Sequence, residues 1–161
     1  MLNDFFRKQN VLAFIAIFYC VIISINILFY AFTAVFNIGD LEFTEPPSIT
    51  NRGIPGMIVK GLLIAPLLET LIYQQFIYYL LSKLSCLKNR TWLICMVAGI
   101  IFGLSHTYSL LYMIQTSLIG FVFMYAYLIH IQNLRKSFWL ITIIHFLVNL
   151  TAFLEQLLFA N

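Results

Sequence analysis

Charged side chains are scarce in this chain. Only 9% of its 161 residues are Asp, Glu, Lys or Arg, whereas soluble domains average about 25%. Hydrophobic residues make up 62%, and the mean hydropathy is +0.95. Residues 11–36 contain no Asp, Glu, Lys, Arg or His, and they exceed the ~20 residues that a helix needs to cross the hydrocarbon. This composition excludes a soluble globular domain and predicts an integral membrane protein.

Cysteine is also sparse. Cys20, Cys86 and Cys95 are odd in number, and none forms a closely spaced pair with another. They therefore indicate neither a disulfide framework nor a thiolate zinc site. The net charge of +3 is small, and the basic residues form no stripe that would follow a phosphate backbone. We expect the lipid bilayer to be a partner and nucleic acid not to be one.

The apolar residues form five runs of helical length, and these runs lack the alternation of membrane barrel strands. We expect an all-α, polytopic transmembrane helical bundle, with a four-helix core and an added N-terminal helix. The predicted spans are residues 11–36, 54–82, 91–106, 110–130 and 138–159. The predicted division is 1–53 for the N-terminal transmembrane helix with its outside loop, and 54–161 for the core.

The basic residues predict the orientation in the membrane. If the N-terminus is cytoplasmic, the inside segments hold seven Lys and Arg residues and the outside segments hold one, Arg52. The seven are Arg7, Lys8, Lys83, Lys88, Arg90, Arg135 and Lys136. Because cytoplasmic loops carry an excess of positive charge, we expect a cytoplasmic N-terminus and an outside C-terminus.

Among the ionisable side chains of the predicted spans, Glu69, His106 and His145 stand out by their position. A charged group at the bilayer centre costs several kcal/mol, on the order of 2.5 to 3.5 on insertion scales. At a rise of ~1.5 Å per residue, all three fall within the ~30 Å hydrocarbon core, as does Asn149. A shared polar cavity, and hence an intramembrane site, is the hypothesis that these positions favour.

Local sequence indicates chemistry for two of these positions. Pro66 lacks a backbone N–H, so it frees the Leu62 carbonyl and is expected to bend the helix just before Glu69. Glu69 is then a candidate general base, or a side chain that bonds a neighbouring helix. His145 and Asn149 lie four residues apart on one helical face; they point into one cavity or bond each other.

Glycine spacing predicts one close helix contact. Gly99 and Gly103 form a Gly-x-x-x-Gly pattern, which lets a second helix approach closely. We expect this contact to bring the helix before His106 near its partner. Gln115, Thr116 and Ser117 in the fourth span are expected to make hydrogen bonds between helices.

Three segments together resemble a known motif set. They are Pro-Leu-Leu-Glu-Thr-Leu-Ile-Tyr-Gln at 66–74, Phe-Gly-Leu-Ser-His at 102–106 and His-Phe-Leu-Val-Asn at 145–149. The set is similar to that of the CPBP family, also called the Abi or CAAX protease family, which includes type II CAAX prenyl endopeptidases and bacterial relatives tied to bacteriocin self-immunity and peptide processing. Its motifs read Glu-Glu-x-x-x-Arg, Phe-x-x-x-His and His-x-x-x-Asn or Asp. The resemblance covers residues 54–159.

The resemblance implies roles for particular residues. Motifs two and three match in full, and Phe102 opens motif two. In the family, the first glutamate and the motif-two histidine activate a water, which here implies Glu69 and His106. The histidine and asparagine of motif three steady the oxyanion, which here implies His145 and Asn149.

Motif one departs from the family pattern. Thr70 stands at the second glutamate and Gln74 at the arginine. Replacing both members of a charged pair leaves two neutral groups that can bond each other. The change is therefore either compensated, with activity kept, or the mark of a copy whose hydrolytic rate has decayed.

The cofactor expectation follows from the same residues. Glu69, His106 and His145 would suit Zn²⁺ with one open position, but no His-Glu-x-x-His motif is present. We favour a metal-free glutamate mechanism with no cofactor, with zinc as the alternative.

The predicted function is an intramembrane endopeptidase in a bacterial cell membrane, acting on a small peptide or a membrane-anchored substrate in bacteriocin self-immunity or peptide processing. A non-catalytic immunity protein that binds the peptide or its receptor is the alternative. A transporter fragment ranks last, because the spans show no inverted repeat.

Overall fold

The computed structural model describes residues 2–38, 56, 58–87 and 90–159. Its helices are α1 (Leu2–Lys8), α2 (Val11–Val35), α3, α4 (Thr91–Leu104), α5 (Leu110–Ile129) and α6 (Leu134–Phe159). Helix α3 runs without a break through Ile58–Ile64, Ala65–Glu69, Thr70–Phe76 and Ile77–Leu81. No strand occurs in these described ranges, so the all-α bundle is confirmed.

Three helices are long and apolar enough to cross a membrane: α2, α5 and α6. Helix α4 is shorter, with 14 residues, and corresponds to roughly 21 Å. Helix α3 covers most of the predicted second span. The first residues of that span lie largely outside the described ranges. The predicted division at 53/54 lies outside them as well. The chain is an integral membrane protein.

Capping side chains decide where several helices begin. Asn10 Oδ1 accepts from the Ala13 amide at 2.7 Å, and Ser109 Oγ accepts from the Tyr112 amide at 3.1 Å. Asn133 Oδ1 likewise accepts from the Lys136 amide at 3.0 Å. An N-cap satisfies an amide that the helix leaves unpaired. Helix α6 therefore starts four residues before the predicted span at 138, because hydropathy senses the lipid and not the cap.

The predicted end of the third span at 106 is wrong. Helix α4 ends at Leu104, and His106 lies in the turn before α5. The His106 amide donates to the Gly103 carbonyl at 2.9 Å, so the last turn tightens and the chain leaves the helix. The His106 imidazole therefore extends from this turn and not from α4.

The predicted close contact of α4 is confirmed. A methyl group on Gly99 would lie 2.6 Å from the Ser117 carbonyl oxygen and 2.8 Å from the Phe121 nitrogen, both on the α5 backbone. On the other side, a methyl group on Gly120 would lie 2.6 Å from Cβ of Phe102. Small residues on both helices therefore permit a backbone approach that larger residues would block.

Helix α2 is packed into the bundle. Phe14, Phe18 and Ile22 are buried, whereas Leu12 is 79% exposed and faces outward. Two polar contacts between helices fix α2 further. The Tyr19 hydroxyl lies 2.7 Å from the Thr151 hydroxyl of α6, and Gln115 of α5 donates to Asn26 Oδ1 at 2.9 Å, which confirms an inter-helix bond for Gln115. The same prediction is wrong for Thr116 and Ser117, whose hydroxyls donate to carbonyls of α5 itself.

Candidate active site

Glu69 lies at the end of a single α-helical turn inside α3. The turn Ala65–Glu69 carries Pro66, and π-helical segments precede and follow it. Pro66 has no N–H to donate to Leu62, so the i to i+4 pattern cannot be continuous here. The wider π pattern accommodates the break, and such segments often occur at functional sites. The bend predicted before Glu69 is thus present as two π-helical segments, one on each side of the turn that ends at Glu69.

Two imidazoles approach the Glu69 carboxylate. Glu69 Oε2 lies 3.6 Å from His145 Nε2 and 3.8 Å from His106 Nε2. Oε2 is buried and has no hydrogen-bond partner within the described residues. Both distances exceed a direct hydrogen bond, and they are in the range that a bridging water or a substrate atom spans. The structure thus gathers three side chains from α3, the α4–α5 turn and α6.

His106 is oriented by the end of α4, which precedes its turn. Its Nδ1 lies 2.8 Å from the Phe102 carbonyl oxygen. A carbonyl only accepts, so the proton of a neutral His106 resides on Nδ1 and the Nε2 lone pair faces Glu69. The ring also packs against that of Phe102, with centroids 4.6 Å apart. Phe102 and His106 therefore act as a unit, which explains the spacing of motif two.

His145 is enclosed. Its residue is 5% exposed, and its ring lies 4.8 Å from that of Phe123 and 6.1 Å from that of Phe102. Nδ1 is buried without a partner in the described part of the chain. Its Nε2 is thus the edge turned toward Glu69.

Asn149 lies one turn beyond His145 and bonds α3. Its Nδ2 donates to the Gly61 carbonyl at 2.9 Å. Gly61 lies in the first π segment of α3. The bond ties α6 to α3 eight residues before Glu69, and it uses one of the two amide hydrogens. Asn149 is therefore bonded to α3 rather than to His145.

Thr70 and Gln74 are fully buried but do not bond each other. Thr70 is 0% exposed and Gln74 is 1% exposed. Thr70 Oγ1 and Gln74 Oε1 are both without a hydrogen-bond partner among described residues. The predicted mutual bond is therefore absent, because the π segment Thr70–Phe76 changes the angular spacing along which an α-helix would align them.

The zinc alternative was tested against the residue arrangement. Where the chain is described, no group of three or more His, Cys, Asp or Glu side chains has an arrangement that would hold a metal ion. We therefore derive no step through a metal.

A groove begins beside Glu69 on α3 but does not include its side chain. This groove of about 510 Å³ is lined by Leu71, Ile72, Gln75 and Phe76 of α3, with Tyr127 and Leu134 across from them. Glu69 is not part of its wall. The Glu69 and His106 side chains are themselves 25% and 19% exposed, so the carboxylate is reached directly from the outer surface of the bundle.

Sequence reasoning missed two contributors. Phe123 packs on His145, and Tyr73 packs edge-on against Phe102 at 5.2 Å. Both are aromatic residues within apolar runs, so no local pattern distinguishes them from ordinary core residues. They determine how the two imidazoles are held.

Comparison with known proteins gives one match. A family profile described as type II CAAX prenyl endopeptidase Rce1-like matches residues 51–151. No curated protein and no solved structure matches the chain. The matched segment contains Glu69, His106, His145 and Asn149 and covers well over half of the chain. At the level of the family, this indicates a CAAX-type intramembrane endopeptidase in a lipid bilayer. By that match, the chain belongs to the Rce1-like family of type II CAAX prenyl endopeptidases.

Proposed function

We propose that this chain hydrolyses a peptide bond inside the membrane with Glu69 as the general base. The observation that carries the proposal is the pair of imidazole nitrogens at 3.6 and 3.8 Å from one carboxylate oxygen. A positioned base must lie within reach of the proton that it removes, directly or through one water. A water molecule that lies beside this pair and bonds both Glu69 and His106 would satisfy that requirement.

The first step forms the tetrahedral intermediate. The water oxygen attacks the carbonyl carbon of the scissile amide, and Glu69 takes one of the water protons. His106 accepts the other water hydrogen bond through Nε2, because its own proton resides on Nδ1. The lone pair of the water is thereby aimed at the carbonyl carbon, which is the positioning that enzymes provide to bimolecular steps.

The second step breaks the amide bond. The carbon–nitrogen bond breaks, the leaving nitrogen takes the proton from the Glu69 carboxylic acid, and the carbonyl product becomes a carboxylic acid. The charge on the oxyanion needs a donor that is already in place. His145 supplies it through Nε2–H, and Asn149 supplies its remaining amide hydrogen. The same bond from Asn149 to Gly61 holds α6 and α3 at the required separation.

The surroundings of Glu69 favour a substrate that resides in the membrane. Leu68, Leu71 and Ile72 on α3 are exposed apolar residues next to the carboxylate. A lipid-facing entrance suits a hydrophobic peptide or a membrane-anchored protein. We propose a bacterial cell membrane, with the N-terminus inside, and a role in bacteriocin self-immunity or peptide processing.

Replacing Glu69 by Gln tests the proposal. The purified full chain is reconstituted in liposomes with candidate hydrophobic peptides, and cleavage is followed by mass spectrometry. Glu69→Gln should lower the rate at least about 10²-fold, because a general base contributes that much. Glu155→Gln removes an exposed carboxylate from α6 and should leave the rate unchanged. Equal rates in Glu69→Gln and the parent chain would refute the role of Glu69.

One observation favours a second candidate function. Thr70 and Gln74 replace the charged pair of motif one, and Thr70 Oγ1 and Gln74 Oε1 have no hydrogen-bond partner among described residues, so the charges of the family pattern are lost without a bond in their place. In cells challenged with a bacteriocin, an immunity protein of this kind would protect equally well with Glu69→Gln. Protection that is lost with Glu69→Gln supports proteolysis instead.

A further inference from the structure

Several buried polar atoms near the candidate site have no partner in the described part of the protein. Five of them lie on α3, α5 and α6: Thr70 Oγ1, Gln74 Oε1, Tyr127 OH, Thr142 Oγ1 and His145 Nδ1. All five residues are at most 7% exposed. A buried polar group without a hydrogen bond costs about 1–3 kcal/mol. Five such groups in one interface therefore indicate a small polar ligand that bonds them.

The five groups lie at successive depths. We call the end of the bundle that carries Lys83, Arg135 and Lys136 the basic end. Tyr127 lies two residues from the end of α5 on this side. Gln74 lies seven residues from the end of α3, and Thr142 lies eight residues from the start of α6. Thr70 on α3 and His145 on α6 each lie eleven residues from those same ends. At a rise of ~1.5 Å per residue, neighbouring levels are roughly 5–10 Å apart. Water molecules about 2.8 Å from each partner span such intervals.

These groups also point to one interface. His145 and Asn149 of α6 both contact α3, and Thr142 lies seven residues before Asn149, which places it on the same helical face. On α3, Gln74 is followed four residues later by Tyr78. The Tyr78 ring lies 6.1 Å from that of Tyr127. Helix α3 thus carries Glu69 at the candidate site, Gln74 further along, and Tyr78, which contacts Tyr127.

A polar cavity lies at the basic end of this sequence of groups. It has a volume of about 230 Å³ and is lined by Asn3, Arg7, Tyr78, Thr91 and Tyr125, with four apolar residues. The Tyr125 hydroxyl donates to Asn3 at 2.8 Å. Such a cavity has both the room and the polar partners that ordered water requires. Tyr78 belongs to its wall and meets Tyr127, so the cavity and the buried groups adjoin.

We propose that Tyr127, Gln74, Thr142, Thr70 and His145 line a chain of bound water, the water path, that joins the polar cavity to Glu69. The hydration of these groups requires no enzymatic activity. The role of the water path in catalysis rests on the proposed function. A hydrolase inside lipid consumes one water molecule per bond that it breaks, and the surrounding acyl chains supply none. Thr70 and Gln74 are then water ligands at positions where the family carries a charged pair.

Hydroxyl-radical footprinting of the full chain in lipid nanodiscs tests the path. Radicals made from water oxidise the side chains that contact it. Tyr127 is 0% exposed and Phe14 is 1% exposed, so both rings are equally buried. Tyr127 adjoins the path and also the groove of about 510 Å³, and a double variant in the path separates these two routes. We expect several-fold more oxidation of Tyr127 than of Phe14, and a fall toward the Phe14 level when Gln74→Leu and Thr142→Val are combined. Equal oxidation of the two rings, or oxidation of Tyr127 that the double variant leaves unchanged, overturns the proposal.

Thermal stability provides a second, independent test. If Thr70 and Thr142 are bonded to water, Thr70→Val and Thr142→Val should each lower the Tm, because the water loses a partner. If their hydroxyls are dry, the same variants should raise the Tm, because an unbonded polar group is removed. Thr116→Val is the matched control, since the Thr116 hydroxyl bonds the Tyr112 carbonyl of its own helix. The water path is contradicted if Thr70→Val and Thr142→Val both show a Tm change that is zero or positive relative to that of Thr116→Val.

The two proposals fail separately. If the parent chain cleaves no peptide while Tyr127 is oxidised and the Tm falls as expected, the proposed function fails and the path stands. If Glu69-dependent cleavage is found while Tyr127 stays unoxidised, the path fails and the proposed function stands.

Discussion

A carboxyl group and two imidazoles inside lipid would each cost several kcal/mol if isolated. Here Glu69, His106 and His145 turn toward one another at 3.6 and 3.8 Å, so one water molecule or substrate atom can bond to more than one of them. The Phe102 carbonyl fixes one ring at 2.8 Å, and Phe123 packs on the other. At the scale of single residues, the structure therefore supplies the partners that the sequence positions require.

Metal removal is the first prediction at this scale. Because no three-residue metal arrangement occurs among described residues, we expect cleavage to continue after dialysis against EDTA and 1,10-phenanthroline. Metal content is checked by mass spectrometry on the same sample. A loss of activity that added Zn²⁺ restores, but Mg²⁺ does not, would contradict the metal-free mechanism.

His130 gives a prediction on pH. It caps α5 at the basic end and packs on Phe14, with ring centroids 4.9 Å apart. Burial, followed by the charges of Lys136 and Arg7, lowers the pKa of His130 below its usual 6.5. Below pH 6.5 the unfolded chain therefore binds a proton more readily than the folded chain, and stability falls as the pH falls.

The measurement is the Tm in detergent between pH 7.5 and pH 5. We expect the Tm to decline below about pH 6.5, and His130→Gln to flatten the decline by removing the titrating group. An identical pH profile in that variant would show that other groups govern the acid sensitivity.

Helices α4 and α5 meet through a close backbone contact. The contact depends on Gly99, Gly103 and Gly120, where a methyl group would meet the opposite helix. Because α4 leads into the turn that carries His106, the same contact sets the depth and tilt of that imidazole. The Gly-x-x-x-Gly spacing predicted this contact from local sequence alone. The partner helix was identifiable only once the fold was known.

Gly99→Ala tests this contact. Its methyl group would lie 2.6 Å from a backbone oxygen of α5 that cannot move alone, so we expect a loss of about 1–3 kcal/mol in unfolding free energy and reduced cleavage. Gly61→Ala is the matched control, since nothing lies within 4 Å of that position. Unfolding in SDS, followed by circular dichroism, measures the unfolding free energy of both variants. Equal losses in the two variants would contradict close packing at Gly99.

At the scale of the whole molecule, α2 is bonded to helices of the matched segment. It contacts α6 through Tyr19 and Thr151, and α5 through Asn26 and Gln115. The family match begins at residue 51 and does not include α2. Its buried aromatic residues Phe14 and Phe18 nonetheless belong to the same core as α5 and α6. We therefore interpret α2 as a structural part of the bundle.

Tyr19→Phe removes one of these bonds while keeping the ring. Inter-helix hydrogen bonds in membranes average about 0.6 kcal/mol, so we expect a loss of that order in the SDS unfolding free energy. Tyr30→Phe, on the same helix at a 75% exposed position, should have no measurable effect. A larger loss at Tyr30 than at Tyr19 would be inconsistent with the bond between α2 and α6.

The sequence alone determined the membrane setting, the helical class and the four polar residues, because each depends on composition or on spacing along one helix. It did not determine the end of α4, the capped start of α6 or the π segments of α3, since these follow from local hydrogen bonds that hydropathy does not sense. The contacts between Glu69 and both imidazoles, and the row of unbonded groups from Tyr127 to Thr70, were decided by the tertiary structure alone. Both join residues on different helices, and only packing brings such residues within hydrogen-bonding reach of the same water.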